Sequence, residues 1–214
     1  MDDEEIYNNK PTFFNDIIDQ LYKYGPATIL VIIGSYLLKS PDTIGALIPI
    51  GLLFMTAWVY FTHRLTHDVY EWGLAREVNT HLLFHHMDDK VIPRWLELVM
   101  EFFADHSLNL SIIPFQWIFG VNLVPVPCIL LFTFTYVSIH IINYSIIGSK
   151  IHRRHHMTKN KNFAPDPYDH IFGTNYNYER EDMNPYIINI IVCFLFLYFN
   201  RDIIHHIENE MNRF

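Results

Sequence analysis

Eight of the chain's 13 histidines fall in three short strings, His63-Arg-Leu-Thr-His67, His81-Leu-Leu-Phe-His85-His86 and His152-Arg-Arg-His155-His156. At roughly 100° per residue, helical positions i and i+4 lie about 40° apart and i and i+3 about 60° apart, so these spacings converge imidazoles on one face. His63 and His67 can therefore clamp one ion, and the three rings of the third string lie within about 100° of arc. His86 points about 140° from His81 on a regular helix, so it serves a different ion or sits on a distorted turn. Imidazole suits iron, zinc, copper or nickel, and eight or more ligands exceed what one tetrahedral or octahedral ion uses. Two ions are implied. The zinc-protease HExxH string and the Glu-x-x-His motif of soluble di-iron bundles are both missing from the sequence. Histidines that only decorated a surface or bound anionic lipid headgroups would not need three convergent strings.

The strings are interleaved with long uncharged runs. Ile44 to Phe61 is 18 uncharged positions, enough for about 27 Å of helix, close to the thickness of a bilayer core. Tyr24 to Leu38 is a further 15, joined to it by the turn Lys39-Ser-Pro-Asp42. Ser107 to Ser149 runs 43 residues with His140 as its one ionisable group, broken by the turn cluster Gly120-Val-Asn-Leu-Val-Pro125-Val-Pro127. The expected fold is thus all-α, an integral membrane helical bundle of two transmembrane hairpins with a cytoplasmic, histidine-rich di-metal cap. Charge supports that orientation: Arg64, Arg76, Lys90 and Arg94 follow the first hairpin and Lys150, Arg153, Arg154, Lys159 and Lys161 the second, whereas the hairpin turns hold only Lys39.

Arg94 to Asp105 places Leu96, Val99, Met100 and Phe103 on one stripe and Glu97, Glu101 and Asp105 elsewhere, which reads as an amphipathic helix lying on the membrane. The expected division is an acidic cytoplasmic leader over 1–23, a membrane di-metal domain over 24–175, and a tail over 176–214. The tail carries an apolar run, Tyr186 to Phe199, that is short for a span. The leader has no secretory-signal character. A net charge of −8 among 214 residues argues against nucleic acid as a partner. Cys128 and Cys193 each lie in apolar runs and read as small buried hydrophobes.

The order HxxxH, HxxxHH, HxxHH between two apolar hairpins resembles the fatty acid hydroxylase and sterol desaturase superfamily. Trp58-Val-Tyr-Phe-Thr-His63-Arg64-Leu-Thr-His67 is similar to that family's first box. Asn162-Phe163-Ala164 through Tyr168-Asp169-His170-Ile171-Phe172-Gly173-Thr174 resembles its Asn-Tyr-Gly and Trp-Asp-x-x-Phe-Gly-Thr signature, with Ala164 and Tyr168 in place of the usual glycine and tryptophan. The likeness covers about residues 44 to 175. It implies a membrane di-iron oxidoreductase that uses O2 to hydroxylate or desaturate a lipid such as a fatty acid, sphingolipid or sterol. Another divalent metal such as zinc could take the place of iron.

The resemblance also implies a further ligand pair on the last transmembrane helix, for which His140 and Asn143 are the match, with Tyr144 as a substitute for Asn143. An ionisable group within an apolar run is costly, which independently marks His140 as functional. The expected ligands are then His63, His67, His81, His85, His86, His140, His152, His155 and His156, with Asn143. Asp68, Asp88, Asp105 and Asp169 could orient ligand imidazoles through the distal nitrogen, Asp169 foremost because it lies in the signature. His106 and His170 are expected as outer-shell or structural groups and His205 and His206 as surface residues.

No dinucleotide or flavin fingerprint occurs, so electrons are expected from a separate donor such as cytochrome b5 with its reductase, or a ferredoxin. Arg153, Arg154, Lys159 and Lys161 could dock an acidic donor; enforcing topology or contacting lipid phosphates would explain them equally. The expected location is multi-pass in the endoplasmic reticulum with the boxes cytoplasmic. The competing reading is a membrane metal transporter or metal-storage protein, which would place its ligands inside the spans.

Overall fold

Apolar runs of this length form helices, and a computed structural model of the chain, describing residues 13–72, 92–158, 161–163, 166–176 and 181–211, contains only helical elements among them. In chain order these are α1 (Phe13–Leu38), α2 (Leu47–Glu71), α3 (Arg94–Leu110), α4 (Ile112–Phe119) and α5 (Val126–Ser138). A π-helix over Ile139–Gly148 follows, then α6 (Lys150–Thr158), α7 (Asp166–Phe172), a 3-10 turn at Asn184–Tyr186, α8 (Ile187–Phe199) and α9 (Arg201–Met211).

α5 is the central column. Val126, Cys128, Ile129, Leu131 and Val137 are buried, and α1, α2, α3, α8 and α9 all pack on it. The outward faces stay apolar, with Ile29, Ile33, Leu37, Leu53, Phe54, Ile118, Ile147, Val192 and Phe199 exposed, a belt that a bilayer would cover. Two helices, Ile17–Leu38 and Val126–Gly148, are long and apolar enough to cross a membrane, and α8 with α9 forms a third such segment bent by 77°. The expected span at 44–61 differs: its helix begins at Leu47 and runs on through His63, Arg64 and His67 to Glu71, so its apolar part is shorter than the two spans.

α1 starts well ahead of residue 24 and accommodates Pro26 in its interior. Proline cannot donate to the carbonyl four residues back, which here belongs to Tyr22. That carbonyl instead accepts a bond from Asn184 Nδ2 (3.3 Å), beside a second tie from the Met183 amide to the Lys23 carbonyl (3.2 Å). The 181–211 segment is thereby docked on α1, and Ile190, Cys193, Leu197 and Ile204 join the same buried cluster as Val31 and Leu131. At the other end of α1, the buried Glu208 carboxylate accepts the Ser40 amide (2.8 Å) and the Thr43 hydroxyl (2.7 Å). His205 Nε2 bonds the Leu38 carbonyl (3.1 Å). His205 is therefore half-buried and caps α1, not a surface residue, because the last carbonyls of a helix need donors.

The turn between α4 and α5 falls where Gly120 and the prolines place it. Gly120 adopts a left-handed conformation (φ 59°) and closes α4 through its amide to Gln116 and Trp117 carbonyls. The buried Gln116 side chain then clasps the turn: Oε1 accepts the Val124 amide (2.6 Å) and Nε2 donates to the Val124 carbonyl (3.2 Å). Replacing Gln116 by Met keeps the volume but strands two buried backbone groups. Unfolding in detergent should show a loss of about 1–3 kcal/mol, and an unchanged midpoint would show that the clasp contributes nothing.

The segment expected on the membrane surface is α3, and its two faces are separated as an amphipathic helix requires. Glu101, Asp105 and Asn109 are buried whereas Trp95, Val99, Phe102 and Phe103 are exposed. The apolar stripe turns outward, where a bilayer would cover it, and the polar stripe meets partners inside.

Candidate metal centre

His63 and His67 lie one turn apart near the end of α2, and α6 brings His155 against them. All three are buried, and their ligand-type nitrogens lie within 4.8 Å of one another. Ring centroids are 5.2 Å apart for His63 and His67, 4.9 Å for His63 and His155, and 5.1 Å for His67 and His155. Nδ1 of His63 bonds the Phe163 carbonyl and Nδ1 of His155 the Lys161 carbonyl, each at 2.6 Å. A carbonyl only accepts, so each Nδ1 carries the proton and each Nε2 keeps its lone pair for an electrophile.

The two carbonyls come from one short stretch, Lys161-Asn162-Phe163, and the signature holds that stretch in place. Asn162 sits at φ 55°, a left-handed conformation that asparagine tolerates. Its amide bonds the Thr174 carbonyl (2.8 Å) and its side-chain oxygen accepts the Tyr176 amide (2.8 Å). The fully buried Asp169 accepts the Phe163 amide (2.9 Å) and the Thr174 hydroxyl (2.7 Å) through one oxygen. Asp169 thus reaches His63 through the Phe163 peptide. The Phe163 ring stands edge-on to His63, His67 and His155 at 5.7, 5.2 and 5.8 Å and closes one side of the group.

A second group lies beside the first. His152 Nε2 and His156 Nε2 are 2.9 Å apart, which is close to the ~3.0 Å separating two nitrogens at right angles on one ion with bonds of about 2.1 Å. The His140 ring is 4.6 Å from His152 and Tyr144 stacks on His152 at 5.0 Å. His140 Nδ1 bonds Asp105 Oδ2 at 2.5 Å and lies 3.2 Å from Glu101 Oε1. His155 and His156 rings are 6.0 Å apart, so the groups adjoin. Ser149 caps α6, its hydroxyl accepting the His152 amide (3.2 Å).

The expectations thus meet varied outcomes. His63, His67, His140, His152, His155 and His156 come together, whereas His81, His85, His86 and Lys159 lie outside the described residues. Asn143 is turned to α8, where its Oδ1 accepts Asn189 Nδ2 (3.1 Å). The cause is the π-helical winding of 139–148, in which i and i+3 no longer share a face as they do in an α-helix. His170 is half-buried beside Asp169 on α7. His106 bonds the Phe102 carbonyl (2.9 Å) on its own helix. Arg153 is exposed, Arg154 lies over the Tyr176 ring at 5.1 Å, and Lys161 Nζ donates to the Gly173 carbonyl (3.0 Å). Glu101 was missed as a partner of His140. Its signal was available in Glu97, Glu101, Asp105 and Asn109, four polar residues at successive i+4 positions on one face of the helix.

Three buried imidazoles, two of them in tautomers fixed by carbonyls, and a second adjoining pair fit nitrogen-ligated transition metals such as iron or zinc. Fold and site together define a helical membrane protein whose buried histidines could bind metal. The chain belongs to the fatty acid hydroxylase family, which it matches over residues 48–174, a range containing every imidazole of both groups. Membership makes it an oxidoreductase and disfavours the transporter or storage reading. No curated protein and no solved structure matches the chain.

Removing the Asp169 carboxylate strands the Phe163 amide and the Thr174 hydroxyl and frees the carbonyl that aims His63. Asp169→Ala should weaken metal retention by roughly 10- to 100-fold in chelator competition; retention equal to the parent would exclude this role. Burial first, and then the charge of His67, holds the His155 imidazole well below its ordinary value of 6.5. An unfolded chain takes up a proton near that pH which the folded ring refuses. Stability from this group is therefore fully present above 6.5 and is lost as pH falls below it. Thermal midpoints of the metal-free protein should drop between pH 7 and roughly pH 5, and a midpoint that stayed level or rose would contradict this.

Proposed function

We propose that the chain is a di-iron membrane oxygenase that uses O2 to hydroxylate, or desaturate, a lipid such as a fatty acid, sphingolipid or sterol. The observation that carries the reading is the adjacency of two imidazole groups served by one helix. α6 contributes His155 to the first and His152 and His156 to the second, so its nine residues set the separation of two ions. His63, His67 and His155 would hold one ion and His140, His152 and His156 the other. His81, His85 and His86 would complete both sets. Tyr144 stacks on His152 at 5.0 Å, whereas Asn143 bonds Asn189, so Tyr144 is the better tenth candidate.

A bound pair of ions supplies the redox chemistry with O2 that no side chain can perform on an unactivated C–H bond. The chain's own part is geometric. The carbonyls of Lys161 and Phe163 hold His155 and His63 in the neutral, metal-ready tautomer, and Phe163 with the buried Tyr60 keeps that side of the centre dry. Electrons would arrive from cytochrome b5 or a comparable donor at a basic rim that includes the exposed Arg153 with Arg154 and Lys161, and Lys159, which lies outside the described residues, is a further candidate. The rim would face the cytoplasm from the endoplasmic reticulum.

Purified protein should contain about two irons per chain. Cells expressing it should accumulate a hydroxylated or newly unsaturated lipid that disappears with His155→Ala. Metal transport without oxygen consumption, or an unaltered lipid profile with an intact iron content, would overturn the proposal.

A further inference from the structure

The two imidazole groups are backed differently. His63 and His155 give their Nδ1 protons to neutral peptide carbonyls. His140 gives its own to a carboxylate, Asp105, with a second carboxylate, Glu101, also within 3.2 Å of the same nitrogen. Glu101 and Asp105 are 2% and 3% exposed on a helix whose other face is apolar and exposed. Burying two neighbouring carboxylates is expensive unless something draws positive charge to them.

The π-helix explains how one acid serves two partners. Its bonds close from i to i+5, which stacks His140 over Ser145. On an α-helix those positions would stand about 140° apart. Here the Ser145 hydroxyl donates to the same Glu101 Oε1 that lies beside His140 Nδ1. A hydroxyl thus fixes Glu101, and Glu101 with Asp105 fixes the ring, leaving Nε2 of His140 as its donor atom.

We propose that Asp105 and Glu101 are positioning residues that make the two metal positions unequal. His140 is a carboxylate-backed, more basic ligand for its ion, whereas His63 and His155 at the other ion are backed by peptide carbonyls. A carboxylate behind an imidazole orients it and raises its donor strength. This inference rests on the proposed pair of ions.

The test is metal retention by the full-length protein in detergent, with iron content and Mössbauer spectra recorded together during a chelator challenge. Wild type should hold about two irons in two distinguishable environments. Asp105→Asn keeps the shape and an acceptor oxygen but removes the charge. It should weaken one ion by roughly 10- to 100-fold and erase one spectral component, while the other ion persists and itself reports an intact fold. Retention of both ions with unchanged spectra, or loss of both together, would overturn the proposal and leave the acids as a structural partner of His140. A wild type holding fewer than two irons would overturn the di-iron reading as well. Should Asp105→Asn fail to accumulate, Ser145→Ala leaves both carboxylates in place and withdraws only the bond to Glu101. The same one-component loss is then expected at smaller amplitude, and its absence would count equally against the proposal.

Discussion

A buried imidazole has two nitrogens, and if one faces a metal ion the other needs a partner from within the protein. Much of this structure depends on that requirement. His63 and His155 find carbonyls in the stretch 161–163, and His140 finds Asp105. Each arrangement uses a segment brought from elsewhere in the chain. The loop that follows α6 folds back under it, and α3 turns its acids inward. The polar partners therefore dictate how the helices pack, in surroundings where an unsatisfied polar group finds no water.

The loop works as a single device. Asn162 turns the backbone, the Asp169 carboxylate and the Thr174 carbonyl accept the Phe163 and Asn162 amides, and Tyr60 on α2 meets the Thr174 hydroxyl at 2.9 Å. Buried hydrogen bonds linked in this way strengthen one another and penalise partial disruption. The helix that carries the histidines and the loop that orients them are thus locked together through Asp169, and the aromatic stack of Tyr60 on Tyr168 and Phe172, at 5.7 and 5.3 Å, adds apolar area to the same joint.

Outside the family-matched region, α1, α8 and α9 act as scaffolding. α1 and α8 flank α5, and Glu208 and His205 tie α9 to the turn between α1 and α2. The carbonyl released by Pro26 becomes the docking point for Asn184. These contacts lie far along the chain from the imidazoles, yet they bear on them through α5, whose continuation is the π-helix holding His140.

The sequence by itself determined the helical class, the turns at 39–42 and 120–125, and the convergence of the histidines within the first and third boxes. These follow from local physics: unbroken apolar runs, proline and glycine at fixed places, and helical periodicity. It could not show that α3 turns its acids toward His140, that 139–148 winds as a π-helix and carries Asn143 away to Asn189, or that His205 caps α1. Only the tertiary structure decided these. An amphipathic pattern states that a helix has two faces, not which of them meets lipid, and the winding of a helix is settled by the partners that its side chains find across the bundle.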